Sequence, residues 1–230
     1  MNKDNNSKEI PAVLMAGGRP RDPNAMTQMM SYAFKGMEKP HVAYIGTANN
    51  DNPAFYQMMK SMLKWAGADK VTFVHLAKKN PDLDDARTTL ANADVIFLSG
   101  GEVEDGMNWL AKYNLCTFLR ELYNSGKRFL GVSAGVIMMG THWVHWDVEG
   151  DDNTSRLFDC LAFTPALFDV HGEEEDWVEL KAALKLMGPG ARAYGLPGGC
   201  MISADSRGNL VNLEKEYLVF VNEGGRIRKE

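Results

Sequence analysis

The first 140 residues alternate short apolar runs with longer segments in which apolar side chains recur every three or four positions. The apolar runs predict strands at 12–16, 41–46, 70–76, 95–101 and 128–133. The longer segments predict helices at 24–35, 53–66, 83–92, 104–112 and 115–124. Because strands and helices alternate at this spacing, we expect an α/β fold, a three-layer sandwich with a mostly parallel central sheet and helices on both faces.

The pattern is looser after residue 140. A polar, acidic segment at 147–156 precedes a predicted strand at 163–170 and a predicted helix at 176–187. The last 40 residues predict short strands joined by the turns DSRGN and NEGG. The sequence contains neither a linker nor an internal repeat. It therefore predicts one α/β domain over residues 1–230, with residues 1–10 as a flexible N-terminal tail.

Composition and charge indicate the cellular compartment of the protein and argue against two classes of partner. The net charge is −5 and the sequence contains no long basic run, which argues against a nucleic-acid partner. Three widely spaced cysteines, Cys116, Cys160 and Cys200, form no C-x-x-C pair, as is typical of a reducing compartment. No apolar stretch is close to about 18 residues, the length that a membrane span needs. The N-terminal segment MNKDNNSKEI is polar, unlike a secretion signal. We therefore expect a cytoplasmic protein with no membrane partner.

One glycine-rich turn carries the clearest chemical signal. Gly131-Val132-Ser133-Ala134-Gly135 follows a predicted strand and opens an apolar helix, which fits the nucleophile elbow G-x-S-x-G. In such an elbow the Ser133 hydroxyl projects from a strained turn, and the N–H of Ala134 faces a developing oxyanion. The alternative is that Ser133 is simply a small residue in a tight turn.

A serine nucleophile needs a base, and five histidines are available. His41 and His75 lie in predicted strands, where a histidine is more often part of the core or of a sheet edge. His142 and His145 form an H-x-x-H pair, but no third metal ligand lies at a convincing spacing. His171 ends a strand-like run and opens a polar loop, as a catalytic residue at a strand end does. We therefore predict His171 as the base.

Several stretches together resemble the dipeptidase E and cyanophycinase family of serine peptidases, whose fold is similar to class I glutamine amidotransferases. They are Gly17-Gly18, VAYIGTA, FLSGG at 97–101, GVSAG at 131–135 and FDVHG at 168–172. The resemblance implies that Ser133 attacks, that His171 is the base, and that the N–H groups of Gly101 and Ala134 form the oxyanion hole. It also implies no metal or organic cofactor, and either a monomer or a homodimer.

The chain departs from the family at the third member of the catalytic triad, the acid. Family members often carry a glutamate in a glycine-led loop, and here Gly198 stands in its place. Asp147, shortly after the elbow helix, matches the aspartate assigned in the dipeptidase branch. Asp169 is the alternative because it lies two residues before His171, on the same strand face. A Ser–His dyad without an acid stays open.

Acidic residues follow both predicted catalytic strand ends. Glu102, Glu104 and Asp105 follow the glycine pair, and the segment 173–176 after His171 is entirely acidic. Such runs are more often solvated faces or helix N-termini. As part of a cleft they would favour a substrate with a cationic group and repel acidic substrates. The predicted substrate-binding residues are Gly100, Glu102, Asp169 and Glu173.

These observations favour a serine hydrolase that cleaves a peptide bond in a small peptide through a Ser133 acyl-enzyme. An amidotransferase with a cysteine nucleophile is disfavoured because no cysteine occupies the elbow. The interpretation as an α/β-hydrolase esterase is also disfavoured, because 59 residues and no further histidine follow His171. The alternative from another class is a catalytically inactive relative that binds a small molecule or a protein. We keep this alternative because Gly198 stands where family members carry the acid.

Overall fold

The computed structural model describes residues 12–18, 22–148 and 150–230, so the predicted tail 1–10 lies outside the described part. The strands are β1 (Ala12–Ala16), β2 (His41–Ile45), β3 (Lys70–Val74), β4 (Val95–Leu98), β5 (Arg128–Val132), β6 (His142–Trp146), β7 (Ser155–Asp159), β8 (Leu167–Val170), β9 (Arg192–Leu196), β10 (Met201–Asp205), β11 (Leu210–Glu214), β12 (Leu218–Glu223) and β13 (Arg226–Lys229). The helices are α1 (Pro23–Ser31), α2 (Pro53–Ala66), α3 (Leu83–Asn92), α4 (Val103–Lys112), α5 (Leu115–Asn124), α6 (Ala134–Met139) and α7 (Val178–Met187).

The central sheet has seven strands in the order β11-β10-β1-β5-β4-β2-β3. The five strands from β1 to β3 in this order are all parallel, whereas β10 runs antiparallel to β1 and β11 runs antiparallel to β10. The prediction of a mostly parallel sheet is therefore confirmed. Because parallel strands end at the same edge, the carboxyl ends of β1, β4 and β5 lie side by side.

Alternate residues of the strands pack on opposite faces of this sheet, as the side-chain period of two requires. In β2, Val42 and Tyr44 belong to the cluster with the methionines of α1 and α2, whereas Ala43 and Ile45 pack with α3, α4 and α5. Helices therefore cover both faces, which confirms the three-layer arrangement. No helix in the described ranges is long and apolar enough to cross a bilayer.

The second half of the chain builds two further sheets that the sequence pattern did not predict. Strands β6 and β7 form an antiparallel hairpin, so part of the polar segment 147–156 is a strand. Strands β13-β12-β9-β8 form a four-stranded sheet in which β8 and β9 are parallel.

Two predicted boundaries in this half were too early. Strand β8 begins at Leu167 rather than at residue 163 because Pro165 has no N–H to donate to a neighbouring strand. Helix α7 begins at Val178 rather than at residue 176 because Asp176 and Trp177 have φ values of 52° and 56°, outside the right-handed helical region.

Candidate active site

Ser133 lies between β5 and α6 with φ 55° and ψ −124°, a backbone conformation that non-glycine residues rarely adopt. Its N–H donates to the carbonyl of Ala16 at the end of β1 over 3.1 Å. The two glycines of the motif are required because backbone carbonyl oxygens lie too close to them for a Cβ atom to fit. A Cβ on Gly131 would lie 2.6 Å from the carbonyl oxygen of Gly135, and one on Gly135 would lie 2.2 Å from that of Leu98. The elbow predicted from the sequence is therefore present as a strained strand-to-helix turn.

His171 follows directly after β8 and also has a positive φ, 42°. Its N–H donates to the carbonyl of Leu196 at the end of β9 over 2.9 Å, which holds the backbone in this conformation. The His171 Nε2 atom lies 2.9 Å from Ser133 Oγ. The structure thus brings together the two residues that the sequence predicted as nucleophile and base, from two different sheets.

Glycines pack against Ser133 from two sides. A Cβ on Gly100 would lie 3.1 Å from Ser133 Cβ, and one on Gly18 would lie 3.6 Å from the same atom. Gly101 follows with φ +140°, and a Cβ there would lie 2.0 Å from the carbonyl oxygen of Ala48. The backbone at Gly100 therefore lies directly against Ser133, where a larger residue would be crowded.

A cavity of about 690 Å³ contains Ser133, His171 and the predicted oxyanion-hole residues Gly101 and Ala134. Ala134 is the first residue of α6, where a backbone N–H has no partner within the helix. Apolar side chains form much of the remaining wall: Met26, Phe55 and Met59 from α1 and α2, Ile137 from α6, and Trp143, Trp146 and Phe158 from the β6–β7 hairpin.

The structure places Asp147, the first choice for the triad acid, beside a different histidine. Its Oδ1 atom lies 3.2 Å from His145 Nε2 and 3.7 Å from Arg156 Nη2, and its side chain is 67% exposed. The other ring nitrogen of His145, Nδ1, lies 2.5 Å from Glu104 Oε2. This histidine–carboxylate cluster on the cavity wall was not predicted, because nothing in the sequence indicates that α4 packs beside the hairpin.

Asp169, the alternative acid, is buried at the border of the cavity. Burial, together with the nearby charges of Glu179 and Glu175, raises the pKa of its carboxyl to about 8, although hydrogen bonds from the N–H groups of Val170 and Leu180 oppose the shift. The bond from Val170 N–H to Oδ1 measures 2.7 Å. At neutral pH the carboxyl is therefore mainly protonated, and a neutral acid gives little electrostatic support to an imidazolium.

A second cavity of about 920 Å³ adjoins the first and shares Asp169, His171 and Glu179 with it. Seven Asp and Glu side chains line it, together with Lys215: Asp22, Asp169, Glu173, Glu174, Glu175, Glu179 and Glu214. Glu173, predicted to bind substrate, accepts a hydrogen bond of 2.7 Å from the N–H of Gly198. Glu102 lies instead in the first cavity with Glu104. Most of the predicted acidic residues therefore line the two cavities that meet at His171, whereas Asp105 and Asp176 line neither and pair with Asn50 and Lys181.

Among the described residues, no three His, Cys, Asp or Glu side chains are grouped as a metal site would require. His142, half of the H-x-x-H pair, lies 3.3 Å from Asp159 across the hairpin. His145, the other half, lies within the carboxylate cluster described above.

A serine on a strand–helix elbow with a histidine at its hydroxyl is the arrangement typical of serine hydrolases. Comparison with known proteins gives the family. A family model described as Peptidase family S51 matches residues 12–209, and the chain therefore belongs to this family of serine-type peptidases, that of dipeptidase E and cyanophycinase. No curated protein matches the chain.

Two solved structures share the fold. A peptidase from an acI-B1 Actinobacterium superposes with a TM-score of 0.71 at 16% identity, covering 96% of this chain and 94% of that one. A peptidase E protein from Listeria monocytogenes EGD-e superposes with a TM-score of 0.68 at 15% identity, covering 90% of this chain and 100% of that one. At these identities the likeness concerns the fold.

Proposed function

We propose that the protein hydrolyses peptide bonds in small peptides, with Ser133 as nucleophile and His171 as general base. The observation that carries the proposal is the 2.9 Å distance between Ser133 Oγ and His171 Nε2, because a base at hydrogen-bond distance is what a serine needs to become nucleophilic. Membership of a peptidase family supports the choice of a peptide as substrate.

In the proposed reaction Ser133 Oγ attacks the scissile carbonyl carbon while its proton passes to His171 Nε2. The carbonyl oxygen becomes an oxyanion beside the N–H groups of Gly101 and Ala134. Collapse of this intermediate breaks the C–N bond, and His171 returns the proton to the leaving amine. A water molecule, deprotonated by the same histidine, then hydrolyses the Ser133 ester and releases the acid.

The contacts of the two predicted acids argue against a triad that includes Asp147 or Asp169. Asp147 is exposed and its carboxylate lies at His145, whereas the raised pKa of Asp169 leaves it mainly neutral at pH 7. We expect the electrostatic support for the imidazolium to come from other carboxylates that line the two cavities.

The same carboxylates support a preference for substrates with a cationic group, such as a free α-amine or an Arg or Lys side chain. Charges of one sign in a cleft raise the local concentration of ligands of the opposite sign. Two carboxylates, Glu102 and Glu104, lie on the Ser133 side, and the acidic second cavity lies on the far side of His171. An acidic side chain would be repelled at both places.

A fluorophosphonate probe, which modifies activated serines, tests this proposal against the alternative of a non-catalytic binding module. We expect labelling of the wild type, no labelling of Ser133→Ala, and strongly reduced labelling of His171→Ala. Ser61→Ala is the matched control because Ser61 lies on the exposed face of α2 and donates only to the carbonyl of Gln57. A folded wild-type protein that stays unlabelled and cleaves no dipeptide would favour the binding module.

A further inference from the structure

A small polar cluster lies behind the glycine pair, on the side away from the cavity. The buried hydroxyls of Tyr44 and Ser99 are 2.8 Å apart. The side-chain amide of Asn49 donates to Ser99 Oγ over 2.9 Å and to the carbonyl oxygen of Gly100 over 2.9 Å. Both N–H bonds of this amide are therefore used, and one of them is directed at the backbone of the predicted oxyanion hole.

The orientation of the Asn49 amide is itself determined by its other end. Its Oδ1 atom accepts the N–H of Asn52 over 3.1 Å, so the nitrogen must face Gly100. Asn49 ends a short 3-10 turn, Thr47–Asn49, whose residue Ala48 accepts the N–H of Glu102 over 2.6 Å. The turn thus holds the chain on both sides of Gly101.

We propose that Asn49 is a positioning residue that aims the Gly101 N–H into the oxyanion hole, an inference that rests on the proposed function. Within a planar trans peptide the carbonyl and the N–H point in opposite directions, and the described part of the chain contains no cis peptide. A donor that pulls the Gly100 carbonyl toward Asn49 therefore turns the Gly101 N–H away from Asn49. No acceptor among the described residues takes that N–H.

A glycine pair needs such a restraint. Glycine adopts many backbone conformations at little cost, so the Gly100–Gly101 peptide can rotate unless something holds it. Only glycine fits at Gly101, because its φ is +140° and a Cβ would overlap the Ala48 carbonyl. The site therefore requires a flexible residue where the reaction requires a rigid donor, and the Asn49 amide resolves this conflict.

The decisive variant is Asn49→Asp. It keeps an oxygen that can accept the Asn52 N–H but replaces the donor to Gly100 with a second carboxylate oxygen, which repels the carbonyl. Removal of one oxyanion-hole donor typically lowers kcat by about 100- to 1,000-fold. We expect a fall in kcat of about 10- to 100-fold, with KM within about twofold, since a misdirected donor is not a deleted one. If the variant does not fold, Asn49→Ala removes the same donor without adding charge.

Asn50→Asp is the matched control. It makes the same chemical change one residue further on, at an exposed side chain that bonds Asp105 and Trp109 and does not contact the glycine pair. We expect a lower melting temperature but an unchanged kcat. An equal loss of kcat in both variants would mean that the loop acts only through stability, and an unchanged kcat in Asn49→Asp and Asn49→Ala would overturn the proposal.

Crystal structures of the wild type and of Asn49→Asp give a readout that needs no substrate. We expect the Gly100–Gly101 peptide to rotate in the variant, so that the Gly101 N–H leaves the cavity. An unrotated peptide would contradict the positioning role even if kcat falls. If the wild-type protein has no peptidase activity, the proposed function is wrong. The two crystal structures would still show whether Asn49 holds the Gly100–Gly101 peptide in its orientation.

Discussion

Ser133 and His171 are 38 residues apart in the sequence, and the structure places Ser133 Oγ and His171 Nε2 2.9 Å apart. Both residues have a positive φ, 55° and 42°, and neither is glycine. Such conformations cost about 1–3 kcal/mol each and persist when the surrounding structure determines them. Here the conformations are held by two backbone hydrogen bonds, from the Ser133 N–H to Ala16 at the end of β1 and from the His171 N–H to Leu196 at the end of β9. The strain lies at the two residues to which we assign the chemistry.

The first prediction concerns Gly101. Gly101→Ala combines left-handed strain with an overlap between the new Cβ and the Ala48 carbonyl, and we expect a cost of about 3 kcal/mol or more. Gly126→Ala is the control, since Gly126 also has a positive φ, +94°, but nothing lies within 4 Å of its Cβ position. The control should lose only about 1–2 kcal/mol. Chemical denaturation measures both, and equal losses would show that the Ala48 contact has no effect.

The second prediction concerns Asp147. Loss of the acid charge in a Ser-His-Asp triad lowers kcat by about 10,000-fold. Because the Asp147 carboxylate lies at His145, we expect Asp147→Asn to lower kcat by less than about tenfold. Asp159→Asn is the matched control, an exposed aspartate that pairs with His142 in the same hairpin. Steady-state kinetics with a dipeptide decide the point, and a fall above about 1,000-fold for Asp147→Asn alone would restore it as the triad acid.

The third prediction concerns Asp169 and pH. The pKa of its carboxyl is raised to about 8 in the folded protein, so the folded state holds this proton more tightly than the unfolded state. Its contribution to stability is therefore complete below the unfolded pKa, about 4, and is lost as the pH rises to about 8. We expect Asp169→Asn to be more stable than the wild type at pH 8 and to show a flatter stability profile from pH 5 to pH 8.

Thermal melts across this pH range test the Asp169 prediction. Each pKa unit corresponds to about 1.4 kcal/mol, so the difference between the two profiles should reach several degrees in melting temperature. Asp69→Asn, at an exposed aspartate on the surface, should follow the wild-type profile. Parallel profiles for wild type and Asp169→Asn would show that the carboxyl is ionised in the folded protein at neutral pH.

The fourth prediction concerns substrate charge. If the carboxylates of the two cavities attract the substrate, Arg-X and Lys-X dipeptides should have a higher kcat/KM than Asp-X dipeptides. The advantage should shrink as salt is added, because exposed charges are screened. Ala-X peptides blocked at the amine serve as the neutral control and should show little dependence on salt. A preference for Asp-X would remove the proposed role of the acidic cavities.

Part of this site could be predicted from the sequence because its signals are local. The elbow motif depends on residues within a single turn, and Gly131 is required by its close contact with Gly135, four residues later. Gly135 is required in addition by a contact with Leu98 of β4, which the motif alone does not reveal. Asn49 carries no such signal. Its role depends on a hydrogen bond to a carbonyl 51 residues further along the chain. A residue of this type in a short turn is otherwise read as turn chemistry alone.

The sequence by itself determined the alternation of strands and helices in the first half, the position of the elbow and the placement of His171 at the end of a strand, because periodicity and turn chemistry are properties of short segments. Only the tertiary structure decided how closely His171 approaches Ser133, which carboxylate meets which of the other histidines, and where the hairpin and the second sheet lie. Those choices depend on contacts between segments that are distant in the chain, and such contacts form only when the whole core packs.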